Sequence, residues 1–104
     1  MKHLPLSKSI KTAIVSDEDY DNCARKSWML RKANSNIEYA ICQLADYRET
    51  GGKKITTYLH QFILGKPPED MEIDHIDGNG LNNQRENLQF VTHKENMMKS
   101  KNSM

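Results

Sequence analysis

Cysteine is scarce in this chain of 104 residues: Cys23 and Cys42 stand apart, with no Cys-x-x-Cys spacing. Neither a disulfide framework nor a four-cysteine zinc ribbon can be built from them, and reduced, buried thiols are expected. Long apolar runs are missing too. The longest, around Ala40–Cys42 and Phe62–Leu64, fall far short of the roughly 20 residues that a membrane-spanning helix needs, so no membrane partner is expected. Ser7, Lys8, Ser9 and Lys11 interrupt the segment Met1–Ile14 and leave it without the apolar centre of a secretory leader, which predicts a cytoplasmic protein. Hydrophobic residues make up 37% and aromatic residues 7%, enough for one small domain whose core gains from a metal or a partner. An excess of one charge is also missing, with 15 basic against 14 acidic residues. The distribution is more informative: residues 1–60 carry ten Lys and Arg against seven Asp and Glu, and residues 61–104 carry five against seven. A polyanion would meet the first part readily and be repelled by the second unless a cation sat there.

Local patterns predict the elements. Ala13-Ile14-Val15 reads as a strand, and Ser16 as the N-cap of a short helix whose Asp17-Glu18-Asp19 turn complements the positive end of the helix dipole and which ends near Arg25. Trp28-Met29-Leu30 and Ile37–Ile41 flank the turn-forming Asn34-Ser35-Asn36, a hairpin signal. After Gly51-Gly52, the β-branched and aromatic run Ile55–Leu59 adds a third strand of a small antiparallel sheet. His60–Leu64 reads as a helical turn stopped by Gly65. Past Pro67-Pro68, Met71 and Ile73 bracket Glu72 in strand alternation; a loop dense in turn residues and carboxamides runs from Asp74 to Asn87, and Leu88–Val91 resumes a strand. Thr92 and Glu95 form a capping box for a last helix. Trp28, Tyr39 and Phe90 are expected in the core, and Met97-Met98 on the apolar face of that helix.

At Asp74-His75, with Asp77-Gly78-Asn79 behind, then Asn87-Leu88 and Thr92–Asn96, the chain resembles the HNH endonucleases, also called His-Me finger or ββα-metal nucleases, in their phage and intron homing type. The resemblance runs from Tyr58-Leu59-His60 through Asn96 and keeps several separate elements in order, which a lone Asp-His pair would not. It implies an α+β fold, in which residues 1–57 support a ββα-metal unit over 58–104. It implies a DNA endonuclease with Asp74 and Asn96 as metal ligands, His75 as general base, and Asn87 bracing the loop and orienting the base. His60 would brace the site or touch a phosphate. Relatives that favour zinc carry His where Asn96 stands, so Mg²⁺ or Mn²⁺ is the expected cofactor.

The residue types suit that chemistry. Phosphodiester hydrolysis needs an activated water and positive charge near the leaving oxygen. A neutral imidazole takes a proton from water at physiological pH, where a Lys is charged and an Asp too weak a base. One carboxylate and one carboxamide form a sparse oxygen shell that leaves places for water and phosphate around a hard cation. DNA contacts are expected from Lys8, Lys11, Arg25, Lys26, Arg31, Lys32, Lys53 and Lys54, with Lys94, Lys99 and Lys101 along the last helix. Such contacts position a duplex without reading its sequence. One motif supplies one base and one cation, so a nicking monomer is expected over a homodimer. Two rivals remain. Asp77, Asn79, Gly80 and Glu86 sit at EF-hand positions counted from His75, although His75 stands where an Asp is needed. A DNA-binding module that keeps the HNH-like fold without cutting is the other; it would be expected to have lost Asp74, His75 or Asn96, and all three are present.

Overall fold

The computed structural model describes residues 1–45 and 54–96. Among the described residues the elements run β1 (Lys2–Ser7), β2 (Thr12–Val15), α1 (Asp17–Ala24), β3 (Trp28–Lys32), β4 (Glu38–Ala45), β5 (Lys54–Tyr58), α2 (Leu59–Leu64), β6 (Met71–His75), β7 (Asn82–Asn83), a 3-10 turn (Arg85–Asn87) and β8 (Leu88–Thr92), with residues 93–96 helical after it. The class is α+β. Six strands form one sheet in the order β5-β4-β3-β1-β2-β7, and β6 and β8 form a separate antiparallel pair. The expected three-strand antiparallel sheet is there as β3-β4-β5. It is part of a larger, mixed sheet, in which β1 runs antiparallel to β2 and parallel to β3, and β7 runs parallel to β2.

Alternation places Leu4, Leu6, Ala13 and Val15 on the buried face, where they meet Trp28, Ala40, Leu59 and Leu81. Trp28 donates its indole N–H to the Cys23 carbonyl at 2.8 Å and meets Phe62 edge-on, which satisfies the polar tip of an otherwise apolar side chain. Both cysteines are buried, and burial, with Asp19 nearby, pushes the Cys23 thiol up to about 11. Two core expectations need correction. Phe90 is 38% exposed, on a two-stranded pair that stands apart from the six-stranded sheet, and Tyr39 is only partly buried and lines a cleft. Gly65 ends α2 at φ 86, a conformation that glycine adopts without a steric penalty.

Ser16 stands at the N-cap of α1, yet its hydroxyl makes no cap bond; it accepts the Arg85 backbone N–H at 3.0 Å. The Arg85 guanidinium grips buried Asp19 with both Nε and a terminal nitrogen, at 2.9 and 2.8 Å. A paired, hydrogen-bonded carboxylate is the form in which a buried charge is tolerated. These bonds tie the first helix to the loop ahead of β8. Gly51-Gly52, Met97-Met98 and Lys53, Lys99 and Lys101 lie outside the described residues. No helix among the described residues is long and apolar enough to cross a membrane.

Candidate active site

Asp74 and His75 end β6, opposite Gln89 and Leu88 of β8. Both are buried. With Asn96, Tyr39, Ile37, Ile76 and Gly80 they line a cleft of about 430 Å³. Gln89, directly across the ladder, donates to Asp74 Oδ2 at 2.9 Å.

The loop from Ile76 to Asn87 is braced by hydrogen bonds from its own side chains. Asp77 accepts the Asn79 amide, and Asn79 in turn accepts the Leu81 amide, an Asx turn followed by a second. Asn87 closes the loop at its base: its carboxamide accepts from the Asp77 backbone at 3.0 Å and donates to Asp77 Oδ1 and the Asn82 carbonyl, both at 2.9 Å. Burial opposes ionisation of Asp77, but hydrogen bonds from Asn82, the Asn79 amide and Asn87 outweigh it and hold the carboxyl below its ordinary value. Gly78, at φ 77, takes the left-handed turn that returns its N–H to the His75 carbonyl at 2.8 Å.

The imidazole of His75 is held by Asn83. His75 Nε2 lies 3.0 Å from Asn83 Oδ1, while Asn83 Nδ2 donates to the Gly80 carbonyl at 3.3 Å. That second bond sets which end of the carboxamide faces the ring. With its oxygen facing the ring, Asn83 is placed to accept an Nε2–H of His75. Asn83 is itself fully buried and fixed by β7, whose parallel pairing sets Val15 beside Asn83. Asn83 is the carboxamide bonded to the His75 ring, while the side chain of Asn87 bonds Asp77 and the Asn82 carbonyl in the loop. A run of carboxamides signals a braced loop but not which member meets the ring.

His60, in the first turn of α2, meets the His75 ring edge to face, with centroids 4.9 Å apart, and it stacks on Tyr58 at 5.2 Å. Burial, aided by the nearby His75, pushes its pKa down to about 4. A neutral His60 places no charge against a His75 that gains a proton. The same shift affects stability. Above about pH 6.5 neither the native nor the unfolded chain protonates this residue; between 6.5 and 4 the unfolded chain takes up a proton that the native one refuses, so stability falls as pH falls. Its contribution is up to about 3 kcal/mol. Urea midpoints at pH 7.5 and 4.5 are expected to differ more in the parent than in His60→Gln, and equal differences would remove His60 from the acid response.

The donor set suits a hard cation. Asp74 offers a carboxylate and Asn96 a carboxamide oxygen in one cleft, and the thiols lie in the core, away from this cleft. Among the described residues no cluster of three or more His, Cys, Asp or Glu could hold a metal without such an amide. The EF-hand reading fails, because Asp77 and Asn79 spend their oxygens on the loop itself and strands, not helices, flank it. Of the basic residues, Lys11 pairs with Glu38, Lys26 lies over the Phe62 ring, and Arg25, Arg31, Lys32 and Lys94 are exposed.

Comparison with known proteins meets this geometry at one place. A family model described as HNH endonuclease matches residues 60–98, the span from His60 through β6, the braced loop, β8 and Asn96. Residues 60–98 are thus similar to the HNH endonucleases. The chain is 29% identical over 85 residues to an uncharacterized HNH endonuclease of Acanthamoeba polyphaga mimivirus, an alignment that covers 81% of this chain and 41% of that protein. The chain thus spans less than half the length of that HNH relative. No solved structure matches it. Within the HNH segment, Asn83, Gln89 and Glu72 touch the expected site residues without having been expected to; Asn83 carried a signal in the paired Asn82-Asn83, whereas the strand positions of Gln89 and Glu72 carried none.

Proposed function

We propose that this chain is a divalent-metal-dependent DNA endonuclease that hydrolyses phosphodiester bonds. The observation that carries the proposal is the convergence of Asp74, His75 and Asn96 on one cleft inside the HNH segment, with the His75 ring bonded to Asn83. His75 Nδ1 takes the proton from the attacking water, and Asn83 keeps the ring aimed as the imidazolium forms. Asp74 and Asn96 would hold Mg²⁺ or Mn²⁺, which when bound polarises the scissile phosphate and offsets charge on the leaving oxygen. Gln89 fixes the Asp74 carboxylate. Residues 58–104 act as the ββα-metal unit, with β6 and β8 as its strands and the segment that Thr92 caps as its helix, and residues 1–57 support it. Arg25, Lys26, Arg31, Lys32, Lys54 and Lys94 contact DNA phosphates, joined by Lys53, Lys99 and Lys101.

With one centre, a monomer nicks. Supercoiled plasmid incubated with Mg²⁺ or Mn²⁺ is expected to give open-circular product first and linear DNA later, with no conversion in Ca²⁺ or EDTA. DNA binding without conversion in any metal would make the chain a binding module. A dimer by light scattering, giving linear product without an open-circular phase, would end the nicking part of the proposal.

A further inference from the structure

Glu72 has no part in the chemistry above, yet it is the residue that holds Asn96. On β6 it stands two residues before Asp74, and the strand period of two puts both carboxylates on one face. Thr92 ends β8 opposite Met71 and accepts the Glu95 amide, starting the helical turn that brings Asn96 over β6. There Asn96 Nδ2 donates to Glu72 Oε1, and His93 Nδ1 lies 3.5 Å from the same oxygen. A carboxamide has a donor end and an acceptor end. Tying down the nitrogen decides that the oxygen is the end left for the cleft Asn96 shares with Asp74. A half-turn of the amide would face a cation with an NH₂ group instead.

We infer that Glu72 is a positioning residue that turns the Asn96 oxygen toward the cation site. This rests on the endonuclease reading and deepens it, since it assigns the grip on one proposed ligand to a residue that touches neither substrate nor cation. Groups that orient a ligand from behind are typically worth about 10–100-fold in metal affinity.

The test is Mn²⁺ binding to the full chain by calorimetry without DNA, followed by the Mn²⁺ dependence of plasmid nicking. Glu72→Leu is expected to raise the Kd for Mn²⁺ about 10-fold and to shift half-saturation of nicking to match, with the rate at saturating Mn²⁺ close to the parent's. Glu72→Gln, whose side-chain oxygen accepts the same bond, recovers most of the affinity. The decisive background is Asn96→Asp, which presents oxygen whichever way it turns. There Glu72→Leu is expected to leave Mn²⁺ affinity unchanged or improved, because two carboxylates no longer repel each other. An equal loss in both backgrounds, or an unchanged Kd in the single variant, overturns the inference while leaving the endonuclease reading in place. A parent chain that binds no Mn²⁺ overturns both.

Discussion

His75→Ala is expected to lose at least about 10²-fold in nicking rate while still binding DNA, the usual size of a general-base contribution. The imidazole is 7% exposed and bonded to Asn83, so its removal also leaves Asn83 Oδ1 unsatisfied in a buried place, at about 1–3 kcal/mol. Rates are therefore compared at a temperature where thermal melts show both proteins folded. Loss of activity with the native melt retained assigns the deficit to chemistry. A folded variant that nicks within a few-fold of the parent would take His75 out of the mechanism.

Gly80→Ala is expected to be the most damaging small substitution for stability. A Cβ at this position would stand 2.0 Å from the Glu38 carbonyl oxygen and 2.7 Å from the Tyr39 ring. The first contact is backbone, so β4 and the loop have to separate, an overpacking cost near the upper end of about 1–3 kcal/mol. For a domain of this size that lowers Tm by roughly 10 °C. Because Gly80 supplies the carbonyl that orients Asn83, nicking should fall as well. Gly78→Ala is the control: nothing lies within 4 Å, but φ is +77, so only the left-handed strain of about 1–2 kcal/mol remains. Equal melts for the two variants would show that the loop does not press on β4 as described.

The elements legible in the sequence are those with a local cause. Asn34 accepts the amides of Asn36 and Ile37, and the hairpin it was expected to turn is there. Thr92 caps Glu95 as the capping box requires. What escaped depends on distant pairing. Lys2–Ser7 contains Pro5 and only two alternating apolar positions, Leu4 and Leu6, and it pairs as a strand with residues 12–15 on one side and Trp28-Met29 on the other. Ser16 was placed correctly at the start of α1, but its hydroxyl turns to Arg85 because a backbone N–H from the far end of the chain competes for it. That Asp74, His75 and Asn96 share one cleft was readable from motif spacing. The choice of Asn83 over Asn87 at the imidazole was not, since a two-residue strand paired with β2 makes it.

That two-residue strand governs when the molecule becomes competent. The ring lock at His75 depends on Asn83 lying beside Val15, and Arg85 reaches back 66 residues to Asp19. Contacts of such sequence separation bear the loop-closure entropy before they return any stabilisation, so they form late in folding. A ribosome releases the N-terminal strands and hairpin first, and these can pair while the loop and β8 are still being made. On the endonuclease reading, the nascent chain is therefore harmless to nearby nucleic acid until the residues through Asn96 have been made and Asn83 has paired beside Val15, so that activity begins only when these distant segments close on one another.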